Sequence, residues 1–327
     1  MQRVPHRSQQ SYRHEAFLWH DRDDFATVLA TFVEEGLDLG EPVLVATIEE
    51  HTRWLQDSLG HQASRQVQFI DMGGLGSNPA RIIPAWREFV AVAGPNEPVR
   101  GIGEPIWPGR HAEELLECQL HEALLNVAID PATPLWLLCP YDAEALEPEV
   151  LEEAHRSHPV IVEAGAQRGS AHYVGRSHVE ALFHSDLHPP RESPRGGVYT
   201  AETIHRLPSY VSLELYVAGL ALDNATLLAE AVQSLARSSL TRGSREVSIR
   251  IWGEADAVIC EVRDDSPIAD PLHGRTIPTD EHDSLWRLNQ ICDLVQLRST
   301  SEATTVRIVS WRQPSTTGAG THLSTRS

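Results

Sequence analysis

Hydrophobic positions along the first half of the chain switch repeatedly between the spacing of a helix and that of a buried strand. The first helix predicted in this way has apolar residues three or four positions apart, at Phe25, Val28, Leu29, Phe32 and Val33. A short apolar run at 42–46, typical of a buried strand, follows it, and the alternation continues to about residue 165. Strands that alternate with helices favour a mostly parallel sheet covered on both faces. We therefore predict an α/β domain over residues 11–165.

The second half of the chain has a different order of elements. Two helical patterns, at 208–218 and 224–240, come first, and two strand patterns, at 246–252 and 257–263, follow them. After a long polar loop, a third helix precedes two more strands. Helices gathered beside antiparallel strands indicate an α+β two-layer sandwich, which we predict over residues 196–312.

Two segments lack this periodicity. Residues 166–195 are rich in Ser, His, Arg, Gly and Pro, which predicts a linker with one short helical turn around Val179–Phe183. Residues 313–327 are polar and contain few apolar side chains, which predicts a disordered tail.

Charge and composition narrow the class of protein. The formal net charge of −19 argues against direct nucleic-acid binding, because such proteins gain affinity by neutralising phosphates with basic residues. No apolar run approaches the ~20 residues of a membrane span, and the polar start of the chain does not resemble a signal peptide. The four cysteines are scattered without a CxxC pair, and we expect them to be small buried hydrophobic residues. We therefore expect a cytoplasmic protein without membrane contact.

The stretches CEVRDDSPIADPLHGR and SLWRLNQICDLVQLRS, together with the order of elements over residues 200–311, carry a family resemblance. They resemble the histidine-kinase-like ATPase domains of the anti-sigma factor serine/threonine kinase family. In that family four sequence boxes bind Mg-ATP, and this chain departs from each of them. The resemblance implies six remnant nucleotide-binding positions, Glu230, Ser234, Asp264, Ser266, Ser284 and Thr304.

The departures remove chemistry that the boxes supply. Glu230 keeps the carboxylate that would be catalytic in an active kinase, but Ser234 stands where a magnesium-binding Asn is expected. Asp264 keeps the carboxylate that would bind the adenine amino group, while Ile268 replaces a glycine. Asp283 adds negative charge where backbone amides would hold phosphates. We expect a pseudokinase without a cofactor; ATP and magnesium would bind only if the domain were an active protein serine/threonine kinase.

Three stretches of the first half, SNPARIIPAWREFV, RGIGEPIWPGRHAEELLECQLHEALLNVA and LWLLCPYDAEAL, carry a second resemblance. They are similar to the MEDS family, the methanogen/methylotroph DcmR sensory domain. This resemblance implies a RecA-like three-layer fold with a parallel sheet between helices, and a role in sensing small organic compounds. No GxxxxGK[ST] sequence is present, so we do not expect a P-loop nucleotide site.

The helix predicted at 112–128 has many polar residues for a helix that covers a buried sheet, and three explanations are open. The helix is solvated or internally hydrogen-bonded, with His121 and Glu122 satisfying buried backbone groups. Alternatively, it lines a small-molecule pocket at the carboxyl edge of the sheet, formed by His14, Glu104, Trp107, Arg110, His121, Glu122 and Tyr141. A third explanation is a metal site, whose ligands on the helix would be His111, Cys118 and His121. Because helical spacing spreads these three over ~15 Å, one ion could not reach all of them without a ligand from elsewhere.

Together the two resemblances imply a bacterial signalling or transcription regulator, in which a sensory domain acts through a degenerate anti-sigma-type kinase domain. The implied partners are a sigma factor or an anti-anti-sigma protein, and a small organic ligand and a homodimer are further expectations. Two alternatives are an active anti-sigma serine/threonine kinase and a ligand-binding protein that uses its second domain only for dimerisation.

Overall fold

The structure is a computed structural model of the chain, and it describes residues 11–279 and 283–312. The segment 313–327, for which the sequence predicts a disordered tail, lies outside the described residues. The described residues form two sheets with helices packed on them. None of the helices in this part of the chain has the length and apolar composition needed to cross a membrane.

The first sheet is built from residues 13–169. Its strands are, in chain order, β1 (Arg13–Trp19), β2 (Val43–Thr47), β3 (Gln68–Asp71), β4 (Val99–Gly103), β5 (Leu135–Asp142), β6 (Val160–Glu163) and β7 (Ala166–Gly169). In the sheet they follow the order β3-β2-β4-β5-β1-β6-β7, and all neighbours are parallel except β6 and β7. This arrangement confirms the mostly parallel sheet that the alternating pattern predicts.

Helices cover both faces of this sheet. They are α1 (Arg22–Asp38), α2 (Glu49–Ser64), the short α3 (Met72–Leu75), α4 (Ile82–Ala93), α5 (Ala112–Ala128) and α6 (Pro148–Ser157). Apolar residues of α1 and α2 pack with Phe17 and Val45 on one face, and those of α4 and α5 pack with Ala16 and Cys139 on the other. Because successive strand residues point to opposite faces, β1 contributes to both layers of the core.

The segment 166–195 holds more regular structure than the predicted linker. Strand β7 pairs with β6, and helix α7 (Arg176–Phe183) packs against α5. The helical turn predicted at Val179–Phe183 is confirmed and begins three residues earlier. Strand β7 has no hydrophobic pattern because its four residues are all exposed. Its conformation comes from pairing with β6 across Ala164 and Gly165, both of which have positive φ.

The second sheet is antiparallel and is built from residues 195–311. Its strands are β8 (Arg195–Tyr199), β9 (Val247–Gly253), β10 (Ala257–Asp264), β11 (Leu294–Ser299) and β12 (Thr304–Trp311), in the order β11-β12-β10-β9-β8. Its helices are α8 (Leu207–Val217), α9 (Leu222–Arg242) and α10 (Ser284–Ile291). The predicted order of helices and strands is confirmed. Sequence analysis missed β8, since RGGVY contains few apolar residues and becomes a strand by pairing with β9.

Helix α5 lies between the two sheets. Its Cys118 packs in the core beside the first sheet. On its opposite side, the carbonyl of Glu113 accepts a hydrogen bond from Gln296 Nε2 on β11 at 3.4 Å, and Glu114 Oε1 accepts one from Trp311 Nε1 on β12 at 3.1 Å. From Glu117 onward most of the helix is buried as a result. This double packing explains why a helix beside a buried sheet carries so many polar residues.

Candidate functional site

Four side chains with metal-ligating or acid-base chemistry meet inside the N-terminal part of the chain: His14, Glu122, Cys139 and His158. All four are at most 3 % exposed. His14 and Cys139 lie on the neighbouring parallel strands β1 and β5 and face α5, which supplies Glu122. His158 follows the last residue of α6. The nitrogen, sulfur and carboxylate oxygen atoms that could bind a metal all lie within 4.8 Å of one another.

The Glu122 carboxylate is the centre of this four-residue cluster. Its Oε2 lies 3.0 Å from His14 Nε2 and 3.0 Å from His158 Nε2. Cys139 Sγ lies 3.4 Å from His14 Nε2. The centroids of the two imidazole rings are 4.1 Å apart. Two imidazole nitrogens are therefore within contact distance of one carboxylate, and the thiol sulfur contacts one of those nitrogens.

Backbone and amide groups determine which imidazole nitrogens carry a hydrogen. Asn126 Nδ2 donates to the carbonyl of Ser157 at 2.7 Å, so Asn126 Oδ1 is free to accept from His14 Nδ1 at 3.2 Å. His158 Nδ1 lies 2.8 Å from the carbonyl of Ala154, which can only accept. Both Nδ1 atoms are therefore donors, and the Nε2 atom of each ring faces the Glu122 carboxylate.

Burial and neighbouring charges shift the pKa values in the cluster. Burial lowers the pKa of His14, and the nearby His158 lowers it further. Burial would raise the pKa of Glu122, but its contacts with the two histidines outweigh burial and hold this pKa far below its usual range. Burial raises the pKa of the Cys139 thiol well above its ordinary value, and the charge of Glu122 adds to the rise. At neutral pH Glu122 is therefore a carboxylate and Cys139 a neutral thiol.

A separate His–Glu pair lies at the carboxyl edge of the first sheet. Glu104 follows β4, and its Oε1 lies 2.6 Å from His51 Nδ1 on α2. Its Oε2 accepts a hydrogen bond from the backbone amide of Ile48 at 3.2 Å. Burial raises the pKa of Glu104, and the contact with His51 opposes that rise. The aromatic rings of Trp19 and Trp54 lie 5.5 and 4.5 Å from the His51 ring.

The structure divides the seven residues of the predicted pocket among different neighbourhoods. His14 and Glu122 belong to the four-residue cluster, and the ring of Tyr141 lies edge-on to the His158 ring at 5.6 Å. Glu104 lies with His51 instead, because β4 and β1 are separated by β5 and Glu104 follows the far end of its strand. The described residues therefore do not form a single pocket at the carboxyl edge that is lined by all seven side chains.

Trp107 and Arg110, two other predicted pocket residues, contact each other. The Arg110 guanidinium lies 3.8 Å from the centroid of the Trp107 ring and donates to the carbonyl of Gly76 at 2.6 Å. It also lies 3.4 Å from the Glu114 carboxylate. Arg110 therefore joins the loop before α5 to Gly76 and to α5 itself. His121 is buried on α5; burial lowers its pKa to about 4, and its Nδ1 has no hydrogen-bond partner among the described residues.

The predicted metal ligands on α5 do not converge within the described residues. His111 is exposed at the start of α5 and stacks on the Trp311 ring at 3.9 Å. Cys118 Sγ donates to the carbonyl of Pro105 at 3.2 Å. Sequence analysis missed Cys139 and His158, which join His14 and Glu122. Cys139 could be placed near His14 only by knowing that β5 pairs with β1. The sequence alone does not show this pairing.

In the C-terminal part, Asp264, the carboxylate to which the kinase-like resemblance assigns adenine binding, is hydrogen-bonded within the chain. Asp264 Oδ1 accepts hydrogen bonds from Ser244 Oγ at 2.9 Å and from the backbone amide of Ser266 at 2.7 Å. Arg242 lies 3.7 Å from the other carboxylate oxygen. Thr304 Oγ1 donates to the carbonyl of Ser266 at 2.8 Å. These contacts bring together three of the six remnant positions, but in bonds to each other and to the surrounding chain.

The start of α10, where the family places phosphate-binding amides, is also closed by local bonds. Asp283 Oδ1 caps the helix by accepting from the amides of Leu285 and Trp286 at 2.9 and 3.0 Å. Ser284 Oγ donates to Ser238 Oγ on α9 at 3.1 Å. His282, which directly precedes Asp283, lies outside the described residues.

The two remaining remnant positions lie on α9. Glu230 is exposed and Ser234 is half-buried. The carbonyl of Ser234 accepts a hydrogen bond from Ser238 Oγ at 3.1 Å, so Ser238 is bonded both within its own helix and to α10.

A buried ion cluster joins α5 to the second sheet. Glu117 forms ion pairs with Arg275, in the loop after β10, and with Arg298 on β11, whose Nη1 lies 2.7 Å from Glu117 Oε1. The three side chains are 1 %, 3 % and 7 % exposed. Beside it, Arg81 Nε donates to the carbonyl of Asn289 at 2.7 Å. The contact between the two halves is therefore polar, buried and specific.

Comparison with known families identifies one of the two halves. Residues 13–159 match the model of MEDS, the MEthanogen/methylotroph, DcmR Sensory domain. A search of curated proteins finds no match to this chain. The family match ends before the second sheet begins, so the kinase-like assignment of residues 196–312 stays a prediction. The N-terminal half of the chain carries a MEDS sensory domain, and this supports a role in signalling or regulation.

Proposed function

We propose that the chain is a bacterial signalling regulator whose sensory domain controls a degenerate anti-sigma-type kinase domain through protein contacts. The observation that carries this proposal is the buried ion cluster of Glu117, Arg275 and Arg298. Arg275 belongs to the loop that follows Asp264, one of the remnant nucleotide-binding positions. Its ion pair with Glu117 attaches this loop to the sensory domain.

Helix α5 gives this contact a physical connection to the four-residue cluster. Glu117 lies at the interface, and Glu122 lies in the cluster five residues later, which is about 7.5 Å along the helix axis. Asn126, one turn further, orients His14. A ligand that shifts or rotates α5 at Glu122 would therefore change the position of Glu117 relative to Arg275, because a helix of this length moves as a rigid body.

The groups that the resemblance assigns to phosphate and adenine binding are already hydrogen-bonded within the chain, which supports a pseudokinase. The amides at the start of α10 are bonded to Asp283, and a phosphate placed there would meet that carboxylate at short range. Asp264 would have to release Ser244 and the amide of Ser266 to bind a base. Ile268 is buried, and its amide donates to Ser299 Oγ at 2.8 Å, so the loop next to Asp264 is bonded to the sheet.

An exposed apolar face supports the protein-contact role. Helix α8 leaves Leu213, Tyr216 and Val217 more than half exposed at helical spacing, and the start of α9 adds Leu222 and Leu227. Apolar side chains gathered in this way are typical of protein interaction sites. We propose that this face contacts the sigma factor or anti-anti-sigma protein. Self-association through the same face is the outcome that would instead favour a homodimer.

Isothermal titration of the purified full chain with ATP and ADP, with and without Mg²⁺, tests the pseudokinase proposal. We expect no binding heat from a sample whose circular dichroism shows that it is folded. Micromolar, Mg²⁺-dependent binding that Asp264→Ala abolishes would overturn the proposal in favour of an active kinase. The Glu302→Ala variant, changed at an exposed turn residue, is the control for handling and folding.

A further inference from the structure

We propose that His14, Glu122, Cys139 and His158 form a site for a single zinc ion or a closely related divalent transition metal. Two imidazoles, a thiolate and a carboxylate are ligand types that zinc binds in proteins, commonly four at a time and in a tetrahedron. The Cys139 thiol would bind as the thiolate and release its proton to solvent as the metal–sulfur bond forms. Calcium and magnesium prefer sets made of oxygen atoms, so this donor set excludes them. The site differs from the predicted His111–Cys118–His121 set in every residue.

The distances within the cluster fit a tetrahedral ion. Bonds of about 2.0–2.3 Å place the ligand atoms of such a site about 3.3–3.6 Å apart. Three separations in the cluster are 3.0, 3.0 and 3.4 Å, and all ligand atoms lie within 4.8 Å of one another. Side-chain adjustments that shorten the longest of these separations by about 1 Å would therefore bring all four atoms into a single coordination sphere.

The orientation of the two imidazole rings fits a cation. Because Asn126 and the carbonyl of Ala154 accept from the two Nδ1 atoms, Nε2 is the nitrogen that each ring turns toward the Glu122 carboxylate. A neutral imidazole that donates from Nδ1 carries its lone pair on Nε2. A metal ion placed between the two rings and the carboxylate would accept that lone pair from each ring.

The surrounding residues form the outer shell that metal-binding histidines require. In known metal sites the second imidazole nitrogen donates to a carbonyl, an amide or a carboxylate, which fixes the tautomer and the ring plane. Here Asn126 Oδ1 accepts a hydrogen bond from His14 Nδ1, and the carbonyl of Ala154 accepts one from His158 Nδ1. Glu122 Oε1 has no hydrogen-bond partner among the described residues, so this oxygen is also available to the ion.

A bound ion would connect four elements of the sensory domain, β1, α5, β5 and the segment after α6. The metal ion would be a ligand of the sensory domain, and in this respect the proposal rests on the proposed function. Metal binding itself can be measured without any reference to signalling. A failure of the metal proposal would leave the ion cluster between Glu117 and Arg275 intact, and a failure of the signalling proposal would leave the metal measurement valid.

The test is a titration of the metal-free full chain with Co²⁺, followed by Zn²⁺, monitored by visible and near-ultraviolet absorption. We expect one Co²⁺ per chain, the intense visible bands of tetrahedral cobalt and a thiolate charge-transfer band, and we expect Zn²⁺ to remove all of them. Cys139→Ser should abolish the charge-transfer band. Cys118→Ser, which changes another buried cysteine of the same domain, should preserve it.

A second variant separates ligation from folding. Asn126→Ala leaves all four ligands in place and removes only the group that orients His14, so we expect affinity for Co²⁺ to fall about 10–100-fold without loss of stoichiometry. Absence of tetrahedral bands in the wild-type chain at one equivalent of Co²⁺ would overturn the proposal. A charge-transfer band that survives in Cys139→Ser would overturn it as well.

Discussion

Glu117→Gln is the substitution that tests the contact between the two halves most sharply. The change preserves side-chain shape but removes the only negative charge of the buried cluster, so that Arg275 and Arg298 face each other without compensation. Removing one partner of a buried ion pair typically costs about 3–5 kcal/mol, because the remaining charge stays desolvated. A typical domain has only about 5–15 kcal/mol of stability, so this loss is large.

Urea unfolding followed by circular dichroism measures the effect. With a slope of about 3 kcal/mol per molar urea, the first unfolding transition should shift down by about 1 M or more. Glu113→Gln is the matched control: it makes the same chemical change one turn earlier on α5, at a side chain without a charged partner among the described residues. Free energies of unfolding that agree within about 0.5 kcal/mol for the two variants would refute the reasoning.

A triple substitution distinguishes electrostatics from packing. Replacing Glu117 by Leu and both Arg275 and Arg298 by Met removes all charges and keeps a similar volume. Buried ion clusters replaced as a whole by apolar side chains are often neutral or stabilising. We therefore expect most of the loss seen in Glu117→Gln to be recovered. A triple variant less stable than Glu117→Gln would show that the cluster stabilises the interface by shape and not by compensated charge.

Two further predictions concern other parts of the molecule. Contact with His178 Nε2 at 2.8 Å outweighs burial and lowers the pKa of Glu153, so the stabilisation by Glu153 is fully present above the usual pKa of about 4.3 and is lost progressively as pH falls through the lower folded-state pKa. Wild type should therefore be more stable to urea than Glu153→Gln at pH 7, and this advantage should shrink as the pH falls below about 4.3; an advantage that stays constant or grows over that range would contradict this sign. Leu213→Asp changes a side chain that is 58 % exposed on α8, so the free energy of unfolding should stay within about 0.5 kcal/mol of wild type. The same variant should abolish co-purification with a sigma factor or antagonist protein. Unchanged co-purification would exclude α8 as the contact face.

Periodicity was sufficient to predict the elements that have an apolar pattern of their own. Helices such as α1 and α9 and the buried strands β2, β5 and β10 appear near their predicted positions because each has one or two faces that must be buried. Strands β7 and β8 have no such pattern. Each exists because a neighbouring strand offers hydrogen bonds, and this information lies in the tertiary structure and not in the local sequence.

The buried cluster shows the same limit at the level of chemistry. The sequence alone makes Glu122 and His14 candidates, but Cys139 lies in an apolar run, which predicts an ordinary core residue. Its pairing register with β1 brings it to His14, and the end of α6 brings His158 from another segment. Glu122 contacts these side chains, whereas the solvated-helix explanation assigns it to buried backbone groups. Convergence of residues from four segments cannot be inferred before the order of the strands is known.

Hydrogen–deuterium exchange of the Arg275→Gln variant tests the central claim, that α5 couples the second domain to the buried cluster. The variant changes only the C-terminal side of the interface, and its effect is compared with wild type for peptides from 265–279 and from 112–128. The account predicts faster exchange in the loop and also in the part of α5 that carries Glu122 and Asn126. Faster exchange confined to the loop, with α5 unchanged, would contradict the coupling.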